Sequence, residues 1–210
     1  RAAGAVLPCV CKVSAPCAIE FPYDSTEALS EEPAPMAAQV TAIEQVASEV
    51  IRLEVQVADD VVFEPGQYVR IRPEGTDVSR SYSMSNAPGV NRLEFFIRSV
   101  PGGAFSQWLA GAKVGDALEL SAPHGTFFLR DEDRPRLFVA GGTGVAPFLS
   151  MLRSMARQPT AQRTTFVIGA RTPGHLFAMD ELQSLGAQME GIDLRIAVEQ
   201  DAAQGCHAGY

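Results

Sequence analysis

From Val50 to Val57 the chain alternates, with Ile51, Leu53, Val55 and Val57 on one side and Arg52, Glu54 and Gln56 on the other. That period of two predicts an antiparallel strand with one buried face. Glu64-Pro65-Gly66 reads as a turn, Gln67 to Arg72 alternates again, and Arg92 to Arg98 and Asp116 to Leu120 add two more strands. Several short strands at roughly ten-residue spacing predict a closed barrel or a sandwich. From about Arg136 the grammar changes. Leu137 to Ala140 is a continuous apolar strand, and Pro147 to Gln158 a helix with Phe148, Leu152 and Met155 on one face. Thr164 to Gly169, Leu176 to Met189 and Ile192 to Val198 then read as strand, helix and strand. This β-α-β-α-β order predicts a parallel sheet with helices on its faces, three strands wide, about half of a doubly wound sheet.

Ahead of both patterns lie two short alternating runs, Val6 to Cys11 and Cys17 to Phe21, which read as the end of a small β-rich unit. Pro22 to Ala38 shifts to Pro, Ser, Glu and Ala, and Glu31-Glu32-Pro33-Ala34-Pro35 cannot continue a helix or a central strand. A linker is expected over 22–37, between a unit ending at residue 21 and two further domains, 38–133 and 134–210.

Composition narrows the setting. With 46% hydrophobic residues in 210, the chain can bury a real core. A net charge of -8 argues against nucleic acid or an anionic membrane as partner. No apolar run approaches the roughly 18 residues of a spanning helix, and no charged-then-apolar signal segment is present, so a soluble, cytoplasmic protein is expected. Cys9, Cys11 and Cys17 crowd one end while Cys206 stands alone at the other. This spacing suits reduced thiols or metal ligation better than a disulfide framework. The chain begins with Arg1 and stops at Gly209-Tyr210, and it is expected to be a piece of a longer polypeptide.

Arg80-Ser81-Tyr82-Ser83-Met84-Ser85-Asn86-Ala87 offers a fixed cation, an aromatic face and three hydroxyls, a kit suited to an anionic, planar ligand rich in acceptors. A nucleotide cofactor fits that description, although the octapeptide alone also reads as an ordinary exposed strand. Pro101-Gly102-Gly103-Ala104-Phe105-Ser106 joins a strand to a helix from Phe105 to Ala110, with glycines that let backbone amides approach an anion. A plain hairpin-to-helix turn looks the same. Gly142-Thr143-Gly144 lies between a buried strand and a helix opening with Pro147, another place where amides can face a diphosphate, or simply a tight connection. Pro147 stands where G-x-G-x-x-G would put its third glycine, so an ordinary dehydrogenase site is disfavoured.

Taken together and in this order, R-x-Y-S-x-S after a Gly-Gln-Tyr strand and G-G-T-G-V-A-P about sixty residues on resemble the signatures of the ferredoxin-NAD(P)H reductase superfamily. The resemblance implies a six-stranded antiparallel flavin-binding barrel, then a truncated parallel-sheet nucleotide domain, preceded by the tail of a [2Fe-2S] ferredoxin module. On it, Arg80, Tyr82, Ser83 and Ser85 hold FAD, with Ser83 near the flavin N5 where hydride arrives. Ile97 and Arg98 at the end of the following strand join them, and Gly103, Ala104 and Ser106 clamp the diphosphate. Gly142, Thr143, Gly144 and Pro147 hold NAD(P)H, with NADH favoured. Arg171 lies on the adenosine side, where it meets a 2′-phosphate or is merely a surface charge. Cys9 matches the fourth thiolate of a plant-type [2Fe-2S] centre, present in the intact protein only because the preceding C-x4-C-x2-C loop is not in this sequence. Ala122-Pro123-His124-Gly125 resembles the family's G-x-x-G turn, with Ala122 in the first glycine's place.

The order ferredoxin, flavin barrel, nucleotide lobe is that of reductase components of multicomponent aromatic-ring dioxygenases of the benzoate and anthranilate type. The expected function is electron transfer from NAD(P)H through FAD to a [2Fe-2S] centre and on to a terminal oxygenase. The alternatives are the same reductase serving a free ferredoxin or a methane or phenol monooxygenase, and a flavin-binding module without turnover.

Overall fold

The computed structural model describes residues 33–130, 133–157 and 162–201, and the backbone of 207–208. The readings made on Arg1 to Glu32, including Cys9 and most of the expected linker, lie outside the described residues. Pro33–Tyr210 forms one compact unit.

Its first part is a six-stranded antiparallel sheet made of β1 (Met36–Ala47), β2 (Val50–Val61), β3 (Tyr68–Pro73), β4 (Arg80–Ser83), β5 (Val90–Arg98) and β6 (Ala117–Leu120). Their order is β4-β3-β6-β1-β2-β5, so β4 and β5 are the two ends of a curled sheet. The predicted alternation holds in β2, where Leu53, Val55 and Val57 point into the core with Val69, Ile71, Leu118 and Leu120. β1 was not predicted as a strand, and it begins at Met36, inside the expected linker. Between β5 and β6 lies α1 (Ala104–Gly111), which buries Phe105 and Leu109 under the sheet.

β5 departs from simple alternation. Leu93 through Ile97 are five consecutive buried residues. Leu93, Phe95 and Ile97 enter the barrel core, whereas Phe96 belongs to the core of the second part. A barrel strand becomes buried on both faces because another lobe packs on its outer side. The ring of Phe96 lies 4.6 Å from that of Phe177.

The second part runs β7 (Arg136–Gly141), a 3-10 turn at Gly142–Gly144, α2 (Val145–Arg157), β8 (Thr164–Ala170), a 3-10 turn at Pro173–His175, α3 (Met179–Gln188), β9 (Ile192–Val198) and β10 (His207–Ala208). The sheet is parallel, in the order β10-β9-β8-β7. Its fourth strand, β10, corrects the three expected. The helices also differ from expectation: α2 and α3 pack in one cluster with Phe138, Phe166 and Ile168, hence on one face of the sheet. Adjacent parallel strands joined by crossovers of one hand put successive helices on the same side. On the other face Leu137 and Val139 are 68% and 63% exposed. The second helix starts later than expected. Leu176 and Phe177 are drawn toward Phe96 and the helical core, and Ala178 turns the chain at φ +54 before the helix begins.

Candidate functional site

The ends of the curled sheet come together at a seam. The amide of Ser85 donates across it to the carbonyl of Glu94 at 2.9 Å. β4 and β5 are edge strands, so each leaves alternate backbone groups unpaired along this seam. Arg80 is exposed on β4, its guanidinium donating to the neighbouring carbonyl of Ser79 at 2.7 Å. Tyr82 is half-buried, its ring 5.1 Å from Phe105. Burial pushes its phenol up to about 12 against the opposing pull of the Arg80 charge, so the hydroxyl stays protonated as a donor. Ser83 pairs with Tyr68 and is half-buried.

Two expected residues have other surroundings. Ser85 is fully buried, and its hydroxyl donates to Oε1 of Glu94 at 2.6 Å. Ile97 buries its whole side chain in the barrel and pairs with Ile51 of β2, so it supports the seam strand from within.

The ring contact between Tyr82 and Phe105 places the start of α1 beside β4. Gly102 turns the chain at φ +73, and Gly103 caps the helix without a side chain. Helix geometry leaves the first amides, from Ala104 on, without intrahelical acceptors, a ready anion site. The Ser106 hydroxyl accepts from the amide of Val100 at 2.9 Å and closes the turn.

A separate cleft of about 330 Å³ opens between the lobes. The β1–β2 turn (Ser48 to Val50) and Arg98 form one wall, and the strand ends Gly141 to Thr143 and Gly169 to Arg171 form the other, with His175. The structure thus brings together Arg98, Gly142, Thr143 and Arg171. Arg80, Tyr82, Ser83, Gly103 and Ala104 belong to the seam, while Gly144 and the half-buried Pro147 lead from the turn into α2. Gly142 adopts φ +52, and a side-chain atom added at Gly142 or Gly144 would meet nothing within 4 Å, so the turn faces open space. Such space at the carboxyl ends of parallel strands is where nucleotides sit.

Arg98 faces Glu49 at 3.3 Å. Across the cleft, Arg171 Nη2 and His175 Nε2 are 3.0 Å apart, and His175 Nδ1 lies 2.8 Å from the Thr172 hydroxyl. His175 and Glu49 were not singled out from sequence. Position just past the end of a parallel strand was the one available signal for His175. A larger cavity of about 500 Å³, lined by Phe127, Leu137, Val139 and Phe148 among others, holds none of the expected site residues.

The residues fit the two nucleotide cofactors. The seam supplies an exposed cation, a protonated phenol, unpaired edge backbone and a helix N-terminus, the donor set a flavin dinucleotide requires. The cleft supplies an open glycine turn and arginines at both ends. β5 joins them, since Ile97 lies in the seam strand, Arg98 lines the cleft, and the Gly142–Gly144 turn lies against this strand. Among the described residues, His, Cys, Asp and Glu form no cluster able to hold a metal.

Comparison with known proteins gives the same division. Residues 37–129 match the oxidoreductase FAD-binding domain family, and 138–209 the oxidoreductase NAD-binding domain family. The chain is 41% identical to methane monooxygenase component C of Methylosinus trichosporium over 172 residues, 78% of this chain and 51% of that protein. It is 33% identical to the toluate 1,2-dioxygenase electron transfer component of Pseudomonas putida over 210 residues, 99% of this chain and 62% of that one. It therefore spans about half to three-fifths of the curated relatives it matches. Among solved structures, an Amycolatopsis cytochrome P450 reductase superposes with a TM-score of 0.78 at 27% identity, covering 86% of this chain and 56% of that one. The ferredoxin reductase of carbazole 1,9a-dioxygenase does so at 0.72 and 27%, covering 84% and 54%. A curled sheet with an open seam, followed by a parallel sheet with its glycine turn at the strand ends, makes this chain a member of the FAD- and NAD-binding oxidoreductases of the ferredoxin-reductase fold.

Proposed function

We propose that this chain is the flavin- and nucleotide-binding part of a reductase that takes electrons from NADH and delivers them to a multicomponent oxygenase. The observation that carries the reading is that Arg98 and Gly142 open on one cleft while Ile97, the residue before Arg98, belongs to the seam strand. A nicotinamide nucleotide lying on the glycine turn and a flavin lying in the seam would meet at the end of β5. FAD, when bound, accepts a hydride and passes electrons on singly. The protein's own part is positioning. Arg80 and the first amides of α1 neutralise the diphosphate, Tyr82 packs along the cofactor and donates its hydroxyl, and Ser83 stands next to the reactive ring. Arg171 holds the adenosine side of the nucleotide.

On this reading residues 38–133 are the flavin module and 134–210 the nucleotide module. A linker, 22–37, follows the end of a ferredoxin module, 1–21, in which Cys9 is a thiolate ligand of a [2Fe-2S] centre. That centre is the first electron acceptor, and the iron-sulfur oxygenase component the next. NADH is made and kept inside the cell, which puts the protein in the cytoplasm. The names of the relatives support the oxygenase partner. The 41% identity to methane monooxygenase component C favours, as a second reading, a monooxygenase over an aromatic-ring dioxygenase.

The test is turnover of NADH with a one-electron dye by the FAD-loaded protein. Dye reduction that requires FAD and falls in Ser83→Ala supports the reductase. Firm FAD binding without dye reduction supports a flavin-binding module instead.

A further inference from the structure

The serine that ends the R-x-Y-S-x-S signature leads away from the flavin seam and into a polar network between the lobes. Glu94 on β5 is 9% exposed, yet it is a carboxylate, and three groups converge on its side chain. Ser85 donates to Oε1 at 2.6 Å, Arg153 Nη1 donates to the same oxygen at 2.7 Å, and Arg52 stands 3.5 Å from Oε2. The Arg153 guanidinium is used on every side. Nη1 also donates to the Ser85 carbonyl at 2.9 Å, and Nε and Nη2 grip both oxygens of Glu181 on α3 at 2.7 and 2.8 Å.

Arg153 is one of a row. Ser150, Arg153 and Arg157, at positions i, i+3 and i+7, share one face of α2. Each donates to a backbone carbonyl of a single barrel segment: Ser150 to Asn86 at 2.7 Å, Arg153 to Ser85, and Arg157 to Pro88 at 3.3 Å. That segment is itself tied to β5, because Asn86 accepts from the amide of Glu94 and Ser85 donates to its carbonyl. The far half of the flavin signature is therefore a ledge on which the nucleotide lobe rests.

We infer that Arg153 is a positioning residue: by joining the ledge and Glu94 to Glu181, it fixes α2, and with it the Gly142–Gly144 turn at the head of that helix, against β5. Nine residues of helix, about 13 Å, separate Arg153 from Gly144, so a rotation at the bridge becomes a displacement at the turn. Because near-attack geometry tolerates little displacement, loosening the bridge slows transfer from nucleotide to flavin while leaving each ligand its own contacts. This rests on the reductase reading.

The test uses FAD-loaded protein mixed anaerobically with NADH, with Arg153→Met, Arg153→Lys and Glu181→Gln beside the unaltered chain. The limiting rate of flavin bleaching is expected to fall about tenfold or more in Arg153→Met, with affinity for FAD and for ADP-ribose changed less than about threefold. Arg153→Lys restores stability but not the rate, since one ammonium cannot reproduce a fork held by two carboxylates and a carbonyl. Glu181→Gln, altered at a partly exposed carboxylate, covers the case in which Arg153→Met does not fold, and it too must slow bleaching. Calorimetry of the cofactor-free protein gives a second readout: one transition in the unaltered chain, and two in Arg153→Met, of which added FAD shifts only one. Limiting rates equal to the unaltered protein's in Arg153→Lys and Glu181→Gln, or a single unsplit transition in a folded Arg153→Met, overturn the inference. Unaltered protein that binds FAD but is not bleached overturns the reductase reading instead, and the calorimetry still decides the role of Arg153.

Discussion

Ser85 and Glu94, nine residues apart in sequence, are joined three times across the barrel seam: the Ser85 amide reaches the Glu94 carbonyl at 2.9 Å, and its hydroxyl reaches Oε1 at 2.6 Å and the same carbonyl at 3.0 Å. The bond to Oε1 is to a buried charged group, a kind that contributes about 1.5–3 kcal/mol. Ser85→Ala is therefore expected to lower unfolding free energy by about 2 kcal/mol while FAD affinity stays within about threefold. Chemical denaturation and a flavin fluorescence titration measure the two. Full stability with lost FAD binding would mean that the hydroxyl serves the cofactor after all.

Burial raises the Tyr82 phenol from 10.0 to about 12, with Arg80 opposing. The folded protein keeps this proton where the unfolded chain has released it, so the associated stability is fully present below pH 10 and is lost as pH rises through about 12. Tyr82→Phe keeps the ring against Phe105 and removes the titrating group. It should abolish the latest phase of the phenolate absorbance titration and flatten the fall in stability between pH 10 and 12. A Tyr82 that ionises near 10 would show that the ring is not held in the seam as described.

Gly66, at φ +113, has no room for a side chain. A Cβ there would sit 2.6 Å from the Phe127 carbonyl oxygen and 2.6 Å from Cε of Met151 on α2. The methionine end can move, but the backbone carbonyl cannot without displacing the chain that joins the lobes. Gly66→Ala should cost about 2–3 kcal/mol, roughly a 5–10 °C fall in melting temperature. An unchanged melting temperature would contradict the close approach.

Arg171 and His175 stand 3.0 Å apart at the rim of the cleft, on the far wall from Arg98. Loss of a charged contact to the bound nucleotide affects ground state and transition state alike. Arg171→Ala should raise KM for NADH about tenfold with kcat unchanged, in steady-state turnover with a dye acceptor. A fall in kcat at unchanged KM would place Arg171 nearer the reacting ring than the adenosine.

Much of this architecture was legible where one physical rule governs a stretch. Strict alternation exposed β2 and β3, and the change to apolar strands alternating with helices exposed the second lobe. β1 escaped because its alanines and glutamines carry little contrast and prolines precede it. β4 was readable only as the plainer of two alternatives, an exposed strand or a ligand kit, because the strand state of Arg, Ser, Tyr and Ser depends on pairing with β3. The burial of both faces of β5 and the late start of α3 share a cause that no local pattern contains, namely the packing of Phe177 on Phe96. In the site, glycine turns and the cationic, aromatic and hydroxyl string were readable because their residue types have few other uses together. The partner of Ser85 was not, since Glu94 reaches it only when the sheet curls. Nor was His175, whose place in the cleft follows from the ends of two parallel strands.

Anaerobic addition of NADH to the FAD-loaded protein tests the central claim, that seam and cleft present two cofactors to one another. Loss of the oxidised-flavin absorbance at one equivalent of NADH is the expected result. Protein that demonstrably binds both FAD and NADH yet keeps its oxidised spectrum would contradict it.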